Sequence, residues 1–259
     1  MPHTDAAGNQ SSDKLLKLIE YLATQGEPLR LIDIAKALGM HSSTALRFLT
    51  TLARSGYVAQ DTATSKYYLT YKLCALGLQV RNHRQLPTTA APYIEEIART
   101  VGETACLAIS QNDQVVYIDV AVAPGQIVKA MQRIGNIAPM HCTGIGKVLL
   151  SRQTDDEVLD FAARAGLPRF TDKTITTSWG LKQELDTVRG QGYAIDDEEC
   201  ELGSRCIALP IFDYSGKAIA GFSVTGPSLR INDAFMKKWL PYLRGMSTEL
   251  SRLMGHEPA

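Results

Sequence analysis

The chain has 259 residues, and its 27 lysines and arginines are balanced by 27 aspartates and glutamates. This zero net charge argues against a protein that simply coats nucleic acid. Five cysteines, an odd number with no CxxC pair, argue against a disulfide framework and a structural zinc site. The start of the chain lacks the apolar segment of a signal peptide, and there is no apolar run of about 18 residues. We therefore expect a cytoplasmic protein without a membrane span.

The first residues, 1–12, are polar and predicted to be a disordered tail. Ser12 or Asp13 is a suitable N-cap for a first helix that carries one apolar face and runs to about Thr24. Gly26 and Pro28 end that helix.

Two short amphipathic helices then occupy residues 31–56, and Gly39 separates them. Apolar residues recur at helical spacing in both, as Leu31, Ile34, Ala35 and Leu38 in the first and as Ala45, Phe48, Leu49 and Leu52 in the second. Glycine tolerates the positive φ at which many helices end. Ser42 is the predicted N-cap of the second helix.

The outer face of the second helix carries hydroxyl and guanidinium groups, which are the groups that contact phosphates and base edges. Its candidate DNA contacts are Ser42, Ser43, Thr44, Arg47 and Thr50. This pattern predicts a helix-turn-helix whose second helix reads a double-stranded DNA operator. The alternative is an αα-hairpin in a small helical bundle.

A β-hairpin is predicted next, with strands at 57–60 and 66–70 and a polar tip. Three helices and a hairpin make a winged helix-turn-helix, so we assign residues 13–71 to a DNA-binding domain with Lys66 as a further candidate contact. The hairpin can also serve as a structural lid on the helices. Residues 1–85 carry a net charge of +4 and residues 86–259 a net charge of −4, which fits a DNA-binding part followed by a part with another role.

A linker helix is predicted at 72–86, and a second domain at 87–256. Pro87 interrupts the linker, and Pro92 lies in the first turn of a helix that reaches about Val101. Strands are predicted at 104–110, 115–121, 127–131, 194–195, 204–212 and 218–225, and helices from Gly144, at 155–164, at 178–190 and from the N-cap Asn232 to about Met254. This order predicts an α+β fold with an antiparallel sheet.

The segment Gly144–Lys147 looks like a phosphate loop but lacks its spacing. His141 and Val148 stand where that loop needs a glycine and a hydroxyl residue. Backbone N–H groups at a glycine-bearing helix start can still hold a small anion. The alternative is that the glycine is needed only for close packing.

Two other features are weaker signals. The four carboxylates Asp196–Glu199 have no histidine near them in sequence, which favours a solvated loop over a metal cluster, with one member free to point inward. Cys206 has no nucleophile motif around it and is predicted to be a small buried thiol.

Small and hydroxyl side chains alternate along the last two strands. Cys206 and Ala208 share one face of their strand, and Ser223 and Thr225 share one face of theirs, with Gly221 beside them. Such faces leave space and hydrogen-bonding groups for a small polar ligand. The alternative is that these are ordinary strand residues.

Several motifs in fixed order resemble the IclR family of bacterial transcriptional regulators. They are Leu31–Gly39, Ser42–Leu49 and Gly56–Val58 for its winged helix, and Thr143–Leu150, Gly192–Glu199, Gly203–Asp213 and Ser223–Pro227 for its second domain. The resemblance covers about residues 13–255. Gly56–Gln60, Arg133–Gly135 and Arg205–Ala208 resemble in particular the family's 2-keto-3-deoxygluconate (sugar-acid) regulator branch.

The resemblance implies a homodimer or dimer of dimers with a linker helix and a GAF-like α/β effector domain for a small organic acid. It implies a repressor of a carbohydrate or sugar-acid operon that leaves a pseudo-palindromic operator when a keto or sugar acid binds, with no cofactor, metal or enzymatic activity. The family's effector contacts carry over to the backbone of Gly144 and Ile145 and to Asp196, Cys206, Ser223 and Thr225.

This chain departs from the family pattern beside that pocket. Ile145 stands where relatives often have a smaller residue, and His141-Cys142 stand where they often have Tyr-Ser. The alternative function is a small-molecule-binding protein or enzyme with a helical appendage that does not bind DNA. The basic face of the second helix and the lack of a nucleophile–base set favour the regulator.

Overall fold

The computed structural model describes residues 10–76, 86–125 and 132–257. The chain divides into two compact units, Met1–Arg84 and Gln85–Ala259. Of the predicted linker helix, residues 72–76 are helical and residues 77–85 lie outside the described residues. The strand predicted at 127–131 and the tail up to residue 9 lie outside them as well.

The first unit is a winged helix-turn-helix. Its described elements are α1 (Gln10–Ala23), α2 (Leu31–Ala37), α3 (Ser42–Arg54), β1 (Val58–Gln60) and β2 (Tyr67–Leu69). The two strands are antiparallel, with Ala59 opposite Tyr68. The predicted inward residues of α3, which are Ala45, Phe48, Leu49 and Leu52, are all buried. Phe48, Leu49 and Leu52 pack in one cluster with Leu18, Ile34 and Val58, so the apolar stripes of three helices and the hairpin form a single core.

Two predicted helix starts in this unit are wrong. Helix α1 begins at Gln10, so the last three residues of the predicted tail are helical and neither Ser12 nor Asp13 is its N-cap. Ser42 is the first residue of α3, and its N-cap is His41, which makes no side-chain capping bond. The reason is that the carbonyl of His41 already accepts the N–H groups of Thr44 and Ala45. Gly39 does take the expected positive φ, at 59°.

The second unit is built on an antiparallel sheet. Its described elements are α4 (Leu86–Val101), β3 (Thr104–Gln111), β4 (Gln114–Ala121), β5 (Ile137–Pro139), α5 (Gly144–Leu150), α6 (Asp155–Ala165), α7 (Ser178–Gln191), β6 (Ala194–Asp197), β7 (Ser204–Phe212), β8 (Ala218–Pro227) and α8 (Asp233–Leu253). The strand order is β5-β4-β3-β8-β7-β6, and each neighbouring pair is antiparallel. The α+β prediction is confirmed.

Helices cover both faces of this sheet because its strands alternate two sets of apolar side chains. Leu107, Ile207 and Phe222 belong to the core that includes α4 and α8. Cys106 and Ala208 belong to the core that includes α5, α6 and α7. The second face carries smaller side chains, so α5 can approach the sheet closely.

Two elements differ from the sequence predictions. The short edge strand β5 was not predicted, since its three residues include a proline. Helix α4 begins at Leu86, with Pro87 in its first turn and Pro92 inside the helix. Proline fits a first helical turn because its missing N–H would have no partner there. Among the helices of the described residues, none combines the length and hydrophobicity that a membrane crossing requires.

Candidate functional site

The outer face of α3 is an exposed stripe of mixed chemistry. Ser43, Leu46, Arg47, Thr50 and Arg54 line one shallow groove along it. Their spacing of three and four residues places them on one side of the helix, opposite the buried residues. Of the predicted contacts, Ser42 is exposed at the first turn, whereas Thr44 is half-buried at the flank of the stripe.

Arg47 lies in the middle of this stripe. Its guanidinium carbon is 5.6 Å from the centre of the Phe48 ring, and its backbone carbonyl accepts a 2.9 Å hydrogen bond from the Thr51 hydroxyl. Neither contact neutralises the guanidinium, which remains available for a phosphate or for the bidentate contact that arginine makes with guanine.

Leu46, which was not predicted as a contact, is 43% exposed on the same stripe. An apolar side chain on a DNA-reading face can contact the methyl group of thymine. The signal was present, because Leu46 follows Ser43 by three residues and precedes Thr50 by four.

The hairpin is fastened to the end of α3. The Thr70 hydroxyl donates to the carbonyl of Gly56 at 2.6 Å, and the Lys72 ammonium donates to the carbonyl of Ser55 at 2.7 Å while lying 4.5 Å from the centre of the Tyr57 ring. Lys66 is half-buried at the foot of β2. Val58 and Tyr67 of the hairpin are buried in one core with α3, so the hairpin covers the helices, and this leaves open a contact of the hairpin with DNA.

In the second unit, the predicted ligand residues fall into adjoining rows across the sheet. Asp196 pairs with Cys206, Cys206 with Thr225, and Thr225 with Thr104. Ala208 pairs with Ser223 in the next row. Residues that are directly opposite in an antiparallel pair point to the same face. The register therefore brings together the side chains that the sequence placed on separate strands.

Helix α5 begins directly above these rows. Thr143 is its N-cap, accepting the Gly146 N–H at 3.3 Å and donating to the Pro139 carbonyl at 2.6 Å. A Cβ on Gly144 would lie 2.8 Å from the Cys206 sulfur and 3.0 Å from the Ala208 Cβ. Close packing is thus a real requirement at Gly144, whatever its N–H group binds.

Ile145 is buried and fills the space left by a second glycine. A Cβ on Gly221 would lie 3.1 Å from the Ile145 Cγ2. The bulk of Ile145 is therefore accommodated on the sheet, beside the hydroxyls of β8.

Two members of the acidic run are buried, so a solvated loop is the wrong interpretation for half of it. Asp196 accepts the N–H of Glu199 at 2.9 Å, and burial raises the pKa of Asp196 to about 6 although that hydrogen bond and Lys147 oppose the shift. Burial likewise raises the pKa of Glu199 to about 7, against the effect of Lys147. Asp197 and Glu198 instead face Lys173, at 3.2 and 3.7 Å.

Lys147 has a structural role that the sequence did not reveal. Its buried ammonium lies between Glu199 and Glu184, 2.8 Å from the latter. Burial alone would lower the pKa of Lys147, but the two carboxylates outweigh it and raise that pKa above its ordinary value. The ammonium therefore joins α5, α7 and the turn after β6. A buried charge of this kind is stable only while its partners stay in place.

The thiols on this face are buried and protonated. Burial raises the pKa of Cys106 to about 12 and also raises the pKa of Cys206. Cys206 is therefore the predicted buried thiol and not a nucleophile. Within the described residues, no group of histidine, cysteine and carboxylate side chains is arranged to hold a metal ion.

Two polar residues of this site were not predicted. Thr104 is buried, and its hydroxyl has no hydrogen-bond partner among the described residues. The Tyr117 phenol is buried as well, and burial together with the nearby Cys106 and Cys206 thiols raises its pKa. Only the strand register reveals them: Thr104 pairs with Thr225, and Tyr117 pairs with Ala108 on the neighbouring strand.

A cavity of about 430 Å³ lies elsewhere in the second unit, between the β3–β4 turn, β5 and the end of α6. None of the predicted ligand contacts lines it. The predicted site is instead the packed region between α5 and the polar rows of the sheet.

Both units of the chain match family models of known proteins. The family model of the IclR helix-turn-helix domain matches residues 11–62, and that of the bacterial transcriptional regulator IclR C-terminal domain matches residues 78–252. The chain is 36% identical over 248 residues to the HTH-type transcriptional regulator KdgR of Escherichia coli (strain K12), which covers 95% of this chain and 94% of that protein.

Two further relatives extend the comparison. The acetate operon repressor of Salmonella typhimurium is 32% identical over 86% of this chain and 82% of its own length. The crystal structure of Thermotoga maritima IclR superposes with a TM-score of 0.64 at 27% identity, covering 95% of this chain and 99% of that one. The chain therefore belongs to the IclR family of bacterial transcriptional regulators, and it is a DNA-binding regulator and not an enzyme.

Proposed function

We propose that this regulator is a repressor of a carbohydrate or sugar-acid catabolic operon and that a small keto or sugar acid releases it from DNA. It acts in the cytoplasm, where its DNA target lies, as a homodimer or dimer of dimers. Residues 13–71 bind a pseudo-palindromic operator, residues 72–86 link, and residues 87–256 bind the effector. The relative named as a repressor of the acetate operon supports the direction of control.

The observation that carries the effector proposal is the row of polar groups under α5. The effector's carboxylate binds at the backbone of Gly144 and Ile145, where N–H groups at a helix start favour an anion. Its hydroxyls bind Asp196, Ser223 and Thr225, while Cys206 sets the depth of the site. The buried Thr104 hydroxyl supports this assignment, because an unpaired buried donor is costly unless a ligand or water satisfies it.

Asp196 indicates which organic acids fit the proposed effector site. It already accepts a backbone N–H through one oxygen, so its second oxygen is left to accept from a ligand hydroxyl. A second ligand carboxylate beside it would be repelled, which disfavours dicarboxylates.

The DNA part of the proposal is tested by selecting operator sequences with the purified protein and measuring the affinity in a salt series. Binding through phosphates falls steeply with salt, with a log–log slope of about −0.9 for each neutralised phosphate. A salt-independent affinity would contradict binding through the DNA phosphates, and with it the proposed contacts of the basic first unit.

The effector part is tested with 2-keto-3-deoxygluconate, pyruvate and glyoxylate, added both in calorimetry and in operator gel shifts. A tenfold release of DNA needs a coupling of about 1.4 kcal/mol between the two sites. We expect Asp196→Ala to weaken ligand binding, while Asp197→Ala, the adjacent carboxylate that faces Lys173, leaves it unchanged. Operator binding that tightens when the ligand is present would reverse the proposed switch.

A further inference from the structure

The cavity beside the β3–β4 turn has the composition of a ligand site but is not part of the effector site. Its volume of about 430 Å³ lies in the range of pockets for small organic molecules. The residues on its walls come from four segments: the β3–β4 turn, β5 with the residues after it, the last turn of α6, and the loop that follows α6.

The walls are mainly apolar and offer aromatic surface. Ile137 and Phe170 line the cavity with side chains that are 59% and 49% exposed, while Phe161 lines it from the buried core. The ring of His141 also belongs to the wall, with its centre 6.1 Å from that of Phe170 and the two planes tilted by 37°. Exposed aromatic and aliphatic groups around a concave space favour a flat apolar ligand.

One end of the cavity carries an exposed ion pair between Arg164 and Asp113. The Arg164 guanidinium donates through Nε and Nη2 to the two carboxylate oxygens of Asp113, at 2.9 and 3.1 Å. Within the part of the chain that the structure describes, the Nη1 group makes no hydrogen bond, so its donors can bind a ligand carboxylate. Asp113 is held at a positive φ of 59° in the tight β3–β4 turn, so it keeps the guanidinium at the cavity.

The ring of His141 is held in the wall as a neutral group. Its Nε2 lies 3.0 Å from the carbonyl oxygen of Pro168, so this contact fixes the ring orientation. Burial lowers the pKa of His141, which keeps the ring uncharged at neutral pH. The titratable groups on the cavity wall are thus His141, Asp113 and Arg164, and a ligand carboxylate would share the guanidinium of Arg164 with Asp113.

We propose that this cavity is a second small-molecule site, which takes a small aromatic carboxylate with its ring against Phe170 and its carboxylate on Arg164. This site is separate from the proposed effector site and does not depend on it. Both sites lie in the second unit. They are close along the chain, because Pro139 and His141 line the cavity and Thr143, two residues after His141, is the N-cap of α5.

The test uses calorimetry on the full chain with benzoate, with benzamide as the uncharged analogue and acetate as the analogue without a ring. We expect benzoate to bind about tenfold more tightly than either, a difference of ~1.4 kcal/mol. Arg164→Gln should weaken benzoate about tenfold and leave benzamide unchanged. Asp113→Asn should strengthen benzoate, because it removes the competing carboxylate while keeping a residue that tolerates positive φ.

Three control variants locate the binding. Arg169→Gln removes a neighbouring exposed arginine that does not line the cavity and should leave benzoate binding unchanged. Ala165→Phe places a ring at the exposed end of α6 and should block the cavity. Ser223→Ala alters the proposed effector site and should have no effect on benzoate.

Two kinds of result would overturn the proposal. One is equal loss of binding in Arg164→Gln and Asp113→Asn, which would assign the ion pair a structural role only. The other is no benzoate binding to the native chain, or binding that Ser223→Ala abolishes. If Ala165→Phe changes the oligomeric state and no carboxylate binds, the cavity is a protein contact and the proposal is likewise wrong.

Discussion

Arg47 stands on the N-terminal half of α3, between Ser43 and Thr50 on the same exposed stripe. Replacing it by alanine should weaken operator binding, by about 1–3 kcal/mol if it contacts a guanine. The loss would then be confined to one base position, whereas a phosphate contact would weaken all sequences equally. Gel shifts with a set of single-base operator variants separate these two cases.

The matched control for this prediction is Lys14→Ala, which removes one positive charge from an exposed position on α1 and leaves the reading helix α3 unchanged. An equal loss of affinity in both variants would mean that only total charge matters. Operator affinity that is unchanged in Arg47→Ala would remove this residue from the interface.

Asp196 makes the stability of the second unit depend on pH. Its pKa is about 6 in the folded chain and lower when the chain unfolds, so the stabilising difference is fully present only below about pH 4 and is lost as the pH rises through 6. Asp196→Asn keeps an oxygen for the Glu199 N–H and cannot ionise. Between pH 4 and pH 7, the native chain should lose on the order of 2 kcal/mol of unfolding free energy relative to this variant.

Urea unfolding at both pH values measures the unfolding free energies of the native chain and of the variant. Subtracting one from the other removes the contributions of the carboxylates that both chains share. Glu199 adds to the same trend in the native chain, since burial raises its pKa to about 7. A native chain whose unfolding free energy changes with pH just as that of Asp196→Asn does would show that Asp196 is solvated.

At the scale of elements, the first turn of α5 is set by its distance from β7. The Cβ of a residue at position 144 would come within 2.8 Å of the Cys206 sulfur. Gly144→Ala should therefore push this turn away from the sheet and lower the unfolding free energy by about 1–3 kcal/mol, as overpacking does. The same shift would weaken the response to effector.

Gly190→Ala is the matched control, because Gly190 lies in α7 with no atom within 4 Å of its added Cβ. Alanine should stabilise this helix by about 0.5–1 kcal/mol, since it restricts the unfolded chain and fits the helical backbone. If packing against the sheet determines the effect, chemical denaturation should show a lower unfolding free energy for Gly144→Ala and a higher one for Gly190→Ala. Destabilisation by both would show that backbone conformation, and not contact with Cys206, controls position 144.

The strong periodic elements were predictable from sequence alone, and the contacts between them were not. The apolar stripe of α3 and the strand Ser204–Phe212 were both predicted, because each pattern is local and runs over enough residues to be detected. The burial of Lys147 and of Glu199 was missed, since an ion pair across 52 residues leaves no local pattern.

The candidate site shows the same limit. Ser223 and Thr225 were found by strand alternation, whereas Thr104 emerged only from the register between β3 and β8. The pairing register of two strands depends on the whole sheet and cannot be predicted from either strand alone. The edge strand β5 was missed for a related reason, because three residues that include a proline carry no detectable period.

At the scale of the whole molecule, charge is divided between the two compact units. Residues 1–84 carry the net charge of +4 found for residues 1–85, because position 85 is an uncharged glutamine, and the remainder carries −4. A basic unit draws the reading helix toward DNA, while the acidic unit is repelled from the phosphates. This division supports a role for the second unit in ligand binding and assembly, and not in contacting DNA.

A single reading helix of this kind contacts only a few base pairs, so we expect specificity to come from a second copy of the chain. A symmetric dimer places two reading helices on one face of the duplex at half-sites about 10 base pairs, or a multiple of that, apart. We expect a dimer or tetramer mass at micromolar concentration and a footprint over two inverted half-sites.

Inserting about five base pairs between the half-sites should abolish tight binding, because it rotates one half-site to the opposite face, whereas inserting about ten should cost less. The measurement is a gel shift on the native, spacer-altered and half-site-scrambled operators, with the mass determined in parallel. An affinity that is unaffected when one half-site is scrambled, together with a monomer mass, would contradict dimeric recognition.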